Sequence, residues 1–108
     1  MQTMMNSFAI VQAQGSLNAS NAKAFQVRLL EQIQHDQAAG LVVDMSQVDS
    51  LDSAGLISLV AALKQARQLS KQFYLCAVPP AIRIVFELTQ LDRAFEMLEE
   101  LPQFAVAA

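Results

Sequence analysis

Polar and apolar positions along the chain switch repeatedly between a two-residue and a three-to-four-residue rhythm. Phe8 to Gln14 alternates over its second half and ends at Gly15, which predicts a strand entering a turn. Met1 to Ser7 reads as an edge strand or a loose lead-in. Beyond Gly15-Ser16-Leu17-Asn18 the rhythm lengthens: Ala22, Phe25, Leu29 and Ile33 recur every three or four residues, with Lys23, Arg28, Glu31 and Gln32 off that stripe. This spacing predicts an amphipathic helix that stops before Gly40. Asn18, Ser20 and Asn21 are candidate N-caps, because their side chains can accept from the orphan N–H groups of a first turn.

Leu41 to Met45 is a short, nearly continuous apolar run, suited to a central strand covered by helices on both faces. Ser46 to Asp52 is then a polar loop holding Val48 and Leu51, and a second helix opens at Ser53-Ala54-Gly55 with Leu56, Leu59, Val60, Leu63 and Ala66 as its apolar stripe. Phe73 to Val78 is a further strand, closed by Pro79-Pro80, where a proline in the first helical turn is tolerated. In the third helix Ile82, Val85, Phe86 and Thr89 face inward and Arg83, Glu87 and Gln90 face water. Leu91 to Ala94 is a turn or short helix, Phe95 to Leu98 an edge strand, and Glu100 to Ala108 a terminal helix. Strands alternating with helices imply an α/β domain with right-handed parallel crossovers. In such sheets ligands bind beyond the C-terminal strand ends, which would gather Asn18, the 46–55 segment and the Pro79-Pro80 turn on one edge.

Composition narrows the class. With 108 residues, 54% of them apolar and 16% charged, the chain is read as one domain over its whole length, able to bury roughly two-thirds of its unfolded surface. Seven basic against ten acidic residues, a formal net charge of −3, supply no basic stripe for nucleic acid or an anionic membrane surface. No apolar run reaches the roughly 18 to 20 residues of a membrane span, and the N-terminus lacks the pattern of a secretory signal, so the cytoplasm is the expected location. One cysteine, Cys76, and one histidine, His35, cannot build a disulfide or a thiolate metal cage. No metal and no cofactor is expected, and Cys76 reads as a small buried hydrophobe. A monomer is the simpler expectation, with a weak dimer through an exposed edge strand as the alternative.

The sharpest local feature is Asp49-Ser50-Leu51-Asp52-Ser53-Ala54-Gly55-Leu56, which delivers a serine to the start of an apolar helix. Ser53 is placed to act as an N-cap, and satisfying an orphan N–H is one complete account of it. The other is functional: a hydroxyl at a helix N-terminus is accessible, and a phosphate there meets the positive end of the dipole. Gly55 costs about 1 kcal/mol relative to Ala in a helix, so something close by, either a partner or the chain itself, requires the room. A serine hydrolase is disfavoured, because Leu51 stands where a Gly-x-Ser-x-Gly elbow needs its first glycine, and His35 belongs to the opposite end of the fold. No glycine-rich phosphate loop occurs, and pairing Asp44 with Asp49 or Asp52 lacks a basic or metal partner.

In three stretches the chain resembles the STAS domains, and among them the small stand-alone anti-sigma factor antagonists of bacteria. These are Gly15-Ser16-Leu17-Asn18 with the helix after it, Val48 to Leu56, and Ala77 to Arg83 running into Phe86 to Asp92. The resemblance as a whole covers about residues 8–98. The resemblance implies a four- to five-stranded mixed sheet with helices mainly on one face. It also implies a switch, not an enzyme: Ser53, directly after Asp52, is phosphorylated by a partner serine kinase that is itself the anti-sigma factor, the unphosphorylated form binds that kinase, and a PP2C-type phosphatase resets it. Asp52, Ala54 and Gly55 then surround the phosphoacceptor, Leu56, Ile57 and Ser58 form the first turn of the partner-facing helix, and Asn18 stands where many relatives carry an aspartate that contacts the kinase. Ala54 replaces a common hydroxyl residue, leaving Ser53 as the main acceptor, with Ser50 and Ser58 as lesser alternatives. The same fold also serves as a non-phosphorylated subunit of larger assemblies such as a lipid-transport ATPase, which is the second reading.

Overall fold

The computed structural model describes residues 8–101; the segment 1–7, read as an edge strand or a loose lead-in, and most of the expected terminal helix lie outside them. The elements are β1 (Phe8–Leu17), α1 (Ala22–Gln34), β2 (Gly40–Leu51), α2 (Ser53–Gln68), β3 (Gln72–Cys76), α3 (Pro80–Leu88), a 3-10 turn (Leu91–Arg93) and β4 (Glu96–Leu98). The strands lie in the order β1-β2-β3-β4, and all three pairings are parallel. The mixed sheet expected from the resemblance is therefore a parallel one among the described residues.

Each connection steps one strand further in the same direction. Crossovers of one hand then deposit α1, α2 and α3 on the same side of the sheet, so that among the described residues this α/β fold has one helical face. The main core forms there, where Val11, Leu41, Val43, Met45 and Leu75 of the sheet meet Phe25, Leu29 and Ile33 of α1, Leu59 and Ala62 of α2, and Ile82 and Phe86 of α3. Phe95 closes one end, 5.4 Å from the Phe86 ring and 5.9 Å from Phe73 between centroids.

Among the described residues, Leu41 to Met45 is covered by helices on one face only. On the far side Val42 and Cys76 are buried by Phe8, Tyr74, Leu98 and Leu101, with the Phe8 and Tyr74 rings 5.9 Å apart. The run is apolar throughout because, among the described residues, large side chains bury its second face.

Two boundaries differ from the sequence reading for one shared reason. β1 continues through Gly15 to Leu17, and β2 continues through the presumed 46–52 loop to Leu51, each extending the other's ladder. Register shifts between Gln12 and Gln14 and between Gly15 and Ser16 break the two-residue alternation, so Met45, Val48 and Leu51 face the core three residues apart. Gly15 takes a φ of 70° at this irregularity, a conformation glycine adopts without a steric cost. The first helix ends at Gln34, well before Gly40, and the Lys71 ammonium donates to the Ile33 and His35 carbonyls at 2.7 Å each. A cation thus satisfies the negative end of α1.

Candidate functional site

The C-terminal strand ends bring together the segments expected there. β1 ends at Leu17 and β2 at Leu51, and the Asp52 N–H donates to the Leu17 carbonyl at 3.1 Å, extending the pairing by one residue into the start of α2. The N-cap of that helix is Asp52, not Ser53: Asp52 keeps an extended backbone, and its carboxylate accepts from the Gly55 N–H at 3.1 Å. A carboxylate at the helix N-terminus also complements the dipole, which favours aspartate over serine for the cap.

Ser53 is consequently the first helical residue. Its side chain is exposed, and its hydroxyl has no hydrogen-bond partner among the described residues. Four residues on, and so on the same helical face, Ile57 is 62% exposed. Asp52 is exposed beside Ser53, Asp49 is exposed three residues earlier, and Ala54 is half-buried. The surface therefore consists of a free hydroxyl, an apolar side chain one turn along, and acidic groups at the rim.

Three residues expected to face a partner are interior. Gly55 and Leu56 are buried, and the buried Ser58 hydroxyl donates to the Ala22 carbonyl at 2.9 Å and the Ala54 carbonyl at 3.2 Å, so it pins α2 to α1 and is closed to modification. The room that Gly55 leaves is taken up inside the domain. A Cβ on Gly55 would meet Leu17 Cβ, Leu17 O and Leu51 Cδ1, each at 2.8 Å. Leu17 is thus the residue missed from sequence; the glycine in a first helical turn was the sign that some backbone passes close by.

Asn18 is half-buried, and its carbonyl oxygen Oδ1 accepts from the Ser20 N–H at 2.9 Å and the Ser20 hydroxyl at 2.6 Å. Asn21 Oδ1 accepts from the Asn18 N–H at 3.0 Å, and Asn21 Nδ2 donates to the Ser16 carbonyl at 2.7 Å. None of the three candidate caps bonds the first turn of α1 through its side chain. They knit the turn that precedes it instead, and this fixes the edge on which Asn18 sits. A groove of about 390 Å³ runs from this turn along β1 and α1, lined in part by Gln12, Gln14, Phe25 and Arg28, and it does not include Ser53.

His35 caps the far end of α1 and is exposed, its Nδ1 accepting from the Gln37 N–H at 3.3 Å. Since α1 runs back from the strand-end edge, no serine–histidine pair forms at Ser53. Asp44 accepts from the Ser46 N–H at 3.0 Å, within β2 and short of the edge that carries Asp52. Among the described residues no group of three or more His, Cys, Asp or Glu side chains could hold a metal ion, and no helix is long and apolar enough to cross a membrane. Cys76 is buried, and burial, with a smaller contribution from the Asp44 carboxylate on the neighbouring strand, pushes its thiol up to about 11.

Comparison with known proteins identifies the family and the fold. The family model described as the STAS domain matches residues 4–103. A Bordetella bronchiseptica protein named as the anti-sigma factor antagonist BtrV is 33% identical over 76 residues, 70% of this chain and 65% of that protein, so the chain spans just under two-thirds of this relative. An anti-sigma factor antagonist from Mycobacterium paratuberculosis shares the structure at a TM-score of 0.77 and 28% identity, covering 88% of this chain and 80% of the other. A crystal structure from Thermotoga maritima, also named as an anti-sigma factor antagonist, superposes at a TM-score of 0.80 with 24% identity, over 87% and 80% of the two chains, and shows the shared fold.

Proposed function

The chain belongs to the STAS domain family, and from that premise we propose that it is an anti-sigma factor antagonist working as a phosphorylation-controlled ligand in a partner-switching pathway. Its relatives' names support the role, and the observation that carries the mechanism is the state of Ser53. The hydroxyl is exposed and bonded to nothing within the described chain, because the neighbouring Asp52 does the capping that a serine at this point would otherwise do. A kinase can take it without dismantling the helix.

In the unphosphorylated state the Ser53 and Ile57 face docks on an anti-sigma factor serine kinase, with Asn18, Asp52 and Ala54 at its margin. Transfer of a phosphoryl group to Ser53 adds about −1.5 to −2 charges beside Asp52 and Asp49. The fold accepts this charge, since it sits at the positive end of α2. The interface does not, because the phosphate must be desolvated next to like charges. A PP2C-type phosphatase returns the protein to its binding form. The domain is then a substrate and a ligand rather than a catalyst.

Intact-mass and peptide mass spectrometry of the protein isolated from its host, before and after phosphatase treatment, is expected to place a removable phosphate on Ser53. In pull-downs, Ser53→Ala should retain the kinase and Ser53→Asp should lose it. Equal capture of the kinase by wild type and both variants would overturn the switch.

A further inference from the structure

The third helix is apolar on two sides. Ile82 and Phe86 are buried in the core, yet Ile84 and Leu88 stand 51% and 81% exposed on the opposite side, four residues apart, with Ala81 exposed on the same stripe. A helix that is apolar all round is ordinarily covered all round. Beside the exposed stripe lie two opposite charges, Arg83 and Glu87, also four residues apart. Among the described residues, the Arg83 guanidinium makes one ion pair, at 4.0 Å to Glu99, whose side chain is 95% exposed. Such a surface contact is worth little and leaves the guanidinium available.

We infer that this face of α3 is a homodimer contact, with α3 of one copy packed antiparallel on α3 of a second about a two-fold axis. The charge pattern selects the occupant. A two-fold axis across an antiparallel helix pair keeps Arg83 and Glu87 on the same side of both helices and reverses their order, so Arg83 of each copy meets Glu87 of the other. Ile84 and Leu88 of the two copies interdigitate alongside these two ion pairs. A second copy supplies the complementary stripe and both charges through symmetry alone, as an isologous interface requires. A helix pair alone buries less than the roughly 1,200 Å² of a stable interface, so the dimer is a weak one. The contact is independent of the proposed switch. Because α3 starts at the strand-end edge and runs back along the sheet, Ile84 and Leu88 lie away from the end that carries Ser53.

Sedimentation velocity of the full chain, from about 10 μM to about 1 mM, tests this. The expected result is a mass rising toward the dimer. Leu88→Gln and Ile84→Gln should return it to the monomer while leaving the urea midpoint essentially unchanged, since both side chains are exposed. Arg83→Glu should weaken association at least several-fold, and the double exchange Arg83→Glu with Glu87→Arg should restore it, because the exchange recreates both pairs. Monomer at every concentration would overturn the proposal. So would association insensitive to Leu88→Gln, as expected of a contact through the β1 edge, or loss in Arg83→Glu that the double exchange does not recover.

Discussion

Gly55 packs directly on Leu17, leaving no space for a Cβ: the added atom would lie 2.8 Å from both the Leu17 Cβ and the Leu17 carbonyl oxygen. That oxygen also accepts the Asp52 N–H, so the end of β1, the cap of α2 and the serine between cap and glycine form one unit. Gly55→Ala should therefore destabilise the domain by about 1 to 3 kcal/mol, the range for overpacking, although Ala is the better helix former. A lower urea midpoint with an unchanged slope is the expected result. The same variant is expected to blunt partner binding by shifting Ser53, without having contacted the partner.

The cap and the acceptor should separate cleanly by mutation. Asp52→Ala removes the bond to the Gly55 N–H and should cost about 0.5 to 2 kcal/mol, while Asp52→Asn retains most of it. Ser53→Ala has no intramolecular bond to lose and should lie within about 0.5 kcal/mol of wild type. Ser53→Asp, in the first turn, should gain about 0.3 to 1 kcal/mol at low salt. Thermal and urea unfolding of the four variants checks the order. Under the proposed switch, a fold unharmed by Ser53→Asp would assign the expected loss of kinase binding to charge at the interface.

Cys76 should make stability fall at alkaline pH. The native thiol, raised to about 11 from an ordinary 9.0, keeps its proton when the unfolded chain's thiol has already ionised. The contribution is intact below about pH 9 and is lost as pH rises toward 11, by about 2 to 3 kcal/mol in total. Urea midpoints of wild type and Cys76→Ala compared between about pH 8 and pH 10.5 should show an extra downward slope only in wild type. At neutral pH the same thiol should react with an aromatic disulfide only as fast as the domain opens.

Ala77 leaves β3 with a φ of 54°, a left-handed conformation costly for a residue with a Cβ. Its N–H donates to the Leu98 carbonyl at 3.0 Å, which holds the chain in that shape as it turns toward Pro79. Ala77→Gly should raise stability by about 0.5 to 1 kcal/mol, the relief of strain exceeding the extra entropy of a glycine in the unfolded chain. A raised thermal midpoint without a change in kinase capture is the expected pair of results.

The order of strands and helices, the stripes of α1 and α2, the proline start of α3 and the segment that presents Ser53 are legible along the chain. Each of these is written in local periodicity or in one residue's backbone preference. The remaining features depend on contacts between distant segments. The bulged β1–β2 ladder turned an apparent polar loop into strand, because pairing across the sheet supplies backbone hydrogen bonds that a period of three does not advertise. Stepwise strand order placed α1, α2 and α3 on one face, a property of connections rather than of any segment. Likewise Asp52 displaced Ser53 as the cap because Leu17 holds the Asp52 backbone extended, and Ser58 turned inward because the Ala22 carbonyl lies across from it. Such contacts join residues far apart in the chain, and no reading of neighbours along it contains them.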